Sequence, residues 1–184
     1  MKVYINPIIV LGPPRSGTSA VARVLHEKMG VSMGLKFKPD DPVTPEGHYE
    51  AEEINNINAA FHDCRITWHE WWERLLAYTL EMHKLEQPWG FKDPKCSVPD
   101  VLGYLICFYP DPIFIRCVRK REQVIKSLLT NFDMPQADAE NIYNFNTQSL
   151  DRILPGKKFI ELDMSERRTD EEIATAINSR VGFP

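Results

Sequence analysis

Several features are missing from this chain, and each absence removes a class of protein. No stretch approaches the ~20 consecutive apolar residues of a membrane-spanning helix. The first residues lack the charged start, apolar run and small-residue cleavage site of a signal peptide. The four cysteines, Cys64, Cys96, Cys107 and Cys117, form no CxxC pair, so neither a disulfide framework nor a zinc staple is implied. A reducing cytoplasm is the expected compartment. Basic residues are not in excess: 22 Lys and Arg against 26 Asp and Glu leave a formal charge of −4, which argues against a general nucleic-acid or anionic-membrane binder. Any anion site must therefore be local. Internal repeats, low-complexity tracts and dividing linkers are also absent, so the 184 residues read as a single domain over 1–184. A domain of that size buries roughly 70% of the surface its unfolded chain exposes.

What is present is an alternation of strand and helix patterns, the signature of an α/β protein. A first strand is predicted over about residues 4–11. The helix from about Ser16 to Met29 presents Val21, Val24, Leu25 and Met29 at helical spacing, and Gly30 stops it. Residues 31–49 form a long loop rich in proline, either a gate over an acceptor site or a plain surface excursion. Helices are predicted over about 50–62 and 66–84, then a short strand ending at Trp89-Gly90-Phe91-Lys92, a helix over 97–109 and a buried strand over Ile113–Val118. Helices over 121–131 and 136–153, a strand over Lys158–Leu162 and a closing helix over Asp170–Arg180 complete the order. The expected architecture is three-layer α/β/α, a mostly parallel sheet with helices on both faces. Ligands of such sheets bind beyond the carboxyl ends of the strands.

One more absence is the most informative. Residues 8–19, IIVLGPPRSGTS, run from a buried strand into a loop with the frame G-x-x-x-x-G-K-[ST], but Thr18 stands where a nucleotide-binding P-loop has its lysine. The loop's cation is Arg15 instead. Glycines at 12 and 17 permit a tight turn, successive backbone N–H groups point into its concavity, and the following helix aims its positive end at the same place. An anion is the expected guest.

Three further segments follow strands or the long loop, and the topology should bring them to the same edge of the sheet: Pro45-Glu-Gly-His-Tyr-Glu50, Phe91-Lys-Asp-Pro-Lys95 and Val118-Arg-Lys-Arg-Glu-Gln-Val-Ile-Lys-Ser127. With the loop, these residues resemble the PAPS-dependent sulfotransferases, whose donor is 3′-phosphoadenosine 5′-phosphosulfate. Pro14-Arg-Ser-Gly-Thr-Ser19 matches that family's 5′-phosphosulfate loop, P-[RK]-S-G-T-[ST]. Arg119 and Ser127, eight residues apart, match its 3′-phosphate element. Thr44-Pro-Glu-Gly-His-Tyr-Glu50 and Lys92-Asp-Pro-Lys95 match motifs of the compact bacterial members. The chain departs from the pattern at Lys120-Arg121, and it lacks the G-x-x-G-x-W-K segment of the cytosolic animal enzymes.

The resemblance implies transfer of a sulfuryl group from PAPS to an acceptor hydroxyl, in line and without a metal. It implies donor binding by Pro14, Arg15, Ser16, Gly17, Thr18, Ser19, Arg119 and Ser127, with Arg15 and Lys92 stabilising charge at the transferred group. Glu50 is the expected general base, with Glu46 and His48 as rivals, while Glu52 and Glu53 read as helix-start charges. Asp93 reads as a turn former or an orienter of a cation, and Lys95 faces either the donor or the surface. His62, Cys64, His69 and His83 fit no zinc spacing. Trp68, Trp71 and Trp72 read as helix packing. Two other functions are open on the residues alone: a P-loop kinase of a small metabolite, which would want the missing lysine and an acid for Mg²⁺, and a non-catalytic anion-binding module. The expected partners are the small-molecule donor and a hydroxyl acceptor, not nucleic acid. Acceptor identity and oligomeric state are not written in the sequence.

Overall fold

Strand β1 (Ile8–Leu11) stands at the centre of the molecule and is apolar on both sides because both of its faces are covered. The computed structural model describes residues 6–38 and 47–181, so the part of the first strand expected at residues 4 and 5 lies outside the described residues. The remaining strands are β2 (Gly90–Lys92), β3 (Ile113–Val118) and β4 (Phe159–Asp163). All pair in parallel, in the order β2-β1-β3-β4, with Ile8 opposite both Gly90 and Ile113, and Phe114 opposite Phe159.

The helices follow the sequence periodicity closely: α1 (Thr18–Lys28), α2 (Glu52–His62), α3 (Trp68–His83), α4 (Pro99–Phe108), α5 (Arg121–Phe132), α6 (Gln136–Ile153) and α7 (Asp170–Val181), with a short 3₁₀ turn over Pro94–Ser97. Strand alternation sorts the core into two layers. Ile9 and Leu11 of β1, Phe91 and Phe114 pack against Ile54, Trp71, Leu75, Leu102 and Leu150 of α2, α3, α4 and α6. Ile8, Val10, Ile115 and Cys117 face the other way, against Val21 and Leu25 of α1 and Ile173 and Ile177 of α7. The expected three-layer α/β/α architecture is the one observed. At the edge, β4 buries only Ile160 and Leu162 and exposes Phe159, Glu161 and Asp163.

Caps account for two of the boundaries. Thr67 and Glu70 form a reciprocal capping box that starts α3, and Thr169 and Glu172 exchange the same pair of bonds ahead of α7. Arg23 of α1 clamps Asp170 of α7 with two bonds of 2.8 Å, joining the two helices of that layer. Since all four strands run one way, the segments after Leu11, Lys92, Val118 and Asp163 lie along one edge. The strand order reverses direction between β1 and β3, the place where sheets of this kind open a crevice.

Candidate active site

The loop after β1 is shaped by contacts that only small residues allow. A Cβ on Gly12 would stand 2.4 Å from Ser16 Oγ and 2.8 Å from the Cys117 carbonyl oxygen, so the strand end is pressed against β3 with no room for a side chain. Gly17, at φ 93°, sits in the left-handed region as the residue before α1, and a Cβ there would press on Met164 at 3.0 Å. Arg15 also has positive φ, 70°. No side chain caps α1. Ser16 Oγ is buried and has no hydrogen-bond partner among the described residues. The loop thus carries an uncapped helix end and an orphaned hydroxyl, and a phosphate- or sulfate-like anion is a group that its residues fit.

Ser97 fixes this loop from below. Gly12 N–H donates to Ser97 Oγ at 3.0 Å, and that hydroxyl donates back to the Gly12 carbonyl at 3.3 Å. Nothing in the sequence motifs pointed to Ser97. It reaches Gly12 because the 3₁₀ turn after β2 folds under the neighbouring strand's loop.

On the β3 side, Arg15 Nε donates to Ser127 Oγ at 3.0 Å, and Arg119 donates to the Arg15 carbonyl at 3.0 Å and to Gln123 Oε1 at 3.1 Å. The three residues matched to the two anion motifs are therefore within one hydrogen-bonded group, although Ser127 meets Arg15 and not Arg119. The Arg15 guanidinium also lies 5.9 Å above the Phe132 ring. Asn131 Nδ2 holds Ser127 Oγ at 3.0 Å from one turn further along α5.

On the β2 side the site is buried. Lys92 is 4% exposed and Glu50 5%. Lys92 Nζ donates to Glu50 Oε1 at 2.6 Å, to Ser19 Oγ at 3.2 Å and to the His48 carbonyl at 3.3 Å, which uses all three of its hydrogens. A lysine from the adjacent strand thus reaches the start of α1, where the loop itself has Thr18. Glu50 Oε2 lies 3.3 Å from Lys38 Nζ and accepts from Asn55 Nδ2 at 3.0 Å. Burial pushes the Glu50 carboxyl up, but Lys92 and then Lys38 outweigh it and hold the group below the usual carboxylate range.

Glu50 is delivered by a short clasp. Phe37 bridges Ala51 in antiparallel fashion, Lys38 N–H donates to the Glu50 carbonyl at 3.0 Å, and Glu52 N–H donates to the Lys36 carbonyl at 2.9 Å. The clasp closes the long loop at its base. Pro45 and Glu46, and with them one rival base and the start of the P-x-G-x-x-E motif, lie outside the described residues. Glu52 pairs with Lys36 at 2.7 Å, as a helix-start charge should.

Asp93 does not orient a lysine. It caps the 3₁₀ turn by accepting from Lys95 N–H at 3.0 Å, and it accepts from Asn55 and Asn58 at 3.0 and 2.9 Å. Burial pushes its carboxyl above the ordinary aspartate value. Asn55 and Asn58, one turn apart on α2, were missed by sequence reasoning. Their signal was present as two amides on the inner face of an otherwise apolar helix stripe. The Lys95 ammonium makes no hydrogen bond or ion pair among the described residues. Trp71 is fully buried and donates through Nε1 to Asn58 Oδ1 at 3.0 Å, Trp72 packs on Phe108, and Trp68 is half exposed beside Tyr104. Among the described residues, no three of His, Cys, Asp and Glu are grouped to hold a metal ion, and no helix is long and apolar enough to cross a membrane.

The chain belongs to the sulfotransferase family, whose model matches residues 7–158, from the start of β1 to the threshold of β4. Membership implies a small-molecule sulfate donor and an acceptor. The fold is similar to sulfotransferase STF1 from Mycobacterium tuberculosis, with TM-score 0.60 and 17% identity over 97% of this chain and 68% of that one. It is also similar to the sulfotransferase domain of the olefin synthase from Synechococcus PCC 7002, with TM-score 0.58 and 18% identity over 96% and 74%. A sugar kinase from Janibacter reaches TM-score 0.60 at 15% identity over 97% and 95%. At such identities these likenesses carry the fold alone, a P-loop kinase-like fold shared by both chemistries. No curated protein matches the chain in sequence.

Proposed function

We propose that the chain, acting as one domain over residues 1–184, transfers a sulfuryl group from 3′-phosphoadenosine 5′-phosphosulfate to an acceptor hydroxyl. The observation that supports this reading is the junction of Arg15 with Ser127 and Arg119, by which the residues proposed for a second phosphate meet the loop proposed for the phosphosulfate. ATP has no 3′-phosphate to use it. The donor supplies an activated sulfuryl group and a phosphate that can leave. The chain's residues position and neutralise. The N–H groups of Ser16 to Ser19 hold the 5′-phosphate, with Pro14 stiffening the approach. Arg119 and Ser127 hold the 3′-phosphate, and Arg15 spans the two.

Lys92 stabilises charge at the transferred group from the opposite lip, exchanging its long bond to Ser19 or His48 for one to a sulfate oxygen. The bond to Glu50 is kept through that exchange, and the remaining lone pair of Glu50 Oε1 takes the acceptor's proton as the new S–O bond forms in line and the bond from sulfur to the donor's phosphate breaks. A carboxylate held this low is a weak base. It suits a hydroxyl whose proton is lost late, as bonding to sulfur develops.

A kinase reading gains one observation, the bond from Lys92 to Ser19 at the start of α1, but Asp93, an acid that could serve Mg²⁺, is engaged by Asn55, Asn58 and the Lys95 N–H. Thermal shift separates the readings. Stabilisation by 3′-phosphoadenosine 5′-phosphate and not by ATP with Mg²⁺ or by AMP is expected, and the reverse pattern sinks the proposal. Radiolabelled PAPS incubated with sugar, phenol and alcohol acceptors then tests transfer itself.

A further inference from the structure

The Glu50–Lys92 pair is not held by its own attraction alone. Asn55 Nδ2 carries two hydrogens, and each goes to a different carboxylate: one to Glu50 Oε2 at 3.0 Å and one to Asp93 Oδ1 at 3.0 Å. Asn55 is 4% exposed and Asp93 1%, so no solvent competes. Asp93 is itself pinned through Oδ2 by Asn58, and Asn58 by Trp71. A flipped Asn55 would turn its carbonyl toward two negative groups, so only one orientation is allowed.

We propose that Asn55 is a positioning residue for the reaction centre: held by Asp93, it fixes the carboxylate of Glu50 so that Oε1 alone is presented to Lys92 and the acceptor. This rests on the role given to Glu50 above. The amide also keeps two like charges side by side in a dry site, where without a shared donor one of them would take up a proton. The groups facing Glu50 and Asp93 from the surrounding elements are Lys92 of β2, Lys38 of the clasp, and Lys95 and Cys96 of the 3₁₀ turn.

The test is Asn55→Ser, which keeps one hydrogen donor and can serve only one carboxylate. In the full chain, the titration of the Glu50 carboxyl is followed by ¹³C NMR beside the pH profile of sulfate transfer from PAPS. The Glu50 midpoint is expected to rise by about one pH unit, the size of one charge-assisted hydrogen bond. The acidic limb of kcat should move with it, with kcat falling about tenfold and the donor KM little changed. If Asn55→Ser does not fold, Asn55→Thr takes its place, with the same single donor and the same expected rise of the midpoint. A folded variant whose Glu50 midpoint stays put overturns the proposal. Should the chain transfer no sulfate at all, the carboxyl titration still decides the role of Asn55, while the function proposed above falls separately.

Discussion

The two lips of the site are built on opposite principles. The β3 lip, with Arg15, Arg119 and Ser127, is partly open, rich in cations and held by a few bonds of 3.0 to 3.1 Å. The β2 lip, with Lys92, Glu50, Asp93, Asn55 and Asn58, is closed to water and satisfied bond by bond. An open lip rich in cations suits the role proposed for it, catching and releasing a charged donor. A closed lip is suited to holding reacting groups at fixed separations, because a buried network has one good arrangement and many costly ones.

Substitutions should therefore harm stability on the closed side and binding on the open one. Lys92→Ala leaves Glu50 buried beside Asp93 with Lys38 as its remaining cation among the described residues. It is expected to cost about 3–5 kcal/mol in urea unfolding, and a loss below about 1 kcal/mol, the size of a surface ion pair, would erase the contrast. The Glu50 carboxyl, held low, stabilises the fold above its unfolded value of about 4.3, and that stability fades as pH falls through the folded value. The stability gap between wild type and Glu50→Gln should accordingly be widest near neutrality and close in acid. Asp93, held high by burial, works in the opposite sense, its ionisation costing stability that acid restores.

Between the lips, Gly12→Ala forces a Cβ onto Ser16 Oγ and the Cys117 carbonyl and should cost about 1–3 kcal/mol, together with most bisphosphate affinity by calorimetry. Ser97→Ala removes both bonds to Gly12. A loss of about 1 kcal/mol is expected, with a smaller weakening of binding. Arg15→Ala should move stability least, within about 0.5 kcal/mol, yet lower affinity for 3′-phosphoadenosine 5′-phosphate at least about tenfold. If Arg15→Ala unfolds the chain as readily as Lys92→Ala, the two lips are not different in kind.

The open lip was the legible one. Its residues occur in contiguous runs, Pro14 to Ser19 and Arg119 to Ser127, because a loop and the helix after it must present several donors to one phosphate. The strand and helix order was legible for a similar reason, each element burying a stripe of its own. Lys92 and Glu50 were readable as chemistry but not as a pair, since 42 residues separate them. Asn55 and Asn58 showed only as amides on an apolar stripe, and Ser97 not at all. A single polar residue on an apolar helix face carries no motif, and its meaning depends on which buried carboxylate or carbonyl the packing brings opposite. Of the two roles expected for Asp93, turn former or orienter of a cation, the turn is the one its contacts show, and the amides contributed by α2 that also hold it could not be foreseen.

The clasp at residues 36–38 and 50–52 has a consequence for how such a chain can change over time. Its bonds fix residues 36–38 against 50–52 directly ahead of α2, and the entropy of closing the loop between them grows by only about 0.6 kcal/mol for each doubling of its length. Insertions and deletions there would leave Glu50, Lys38 and the amides behind them where they are. Under the function proposed above, the base would then be inherited independently of the length of that stretch.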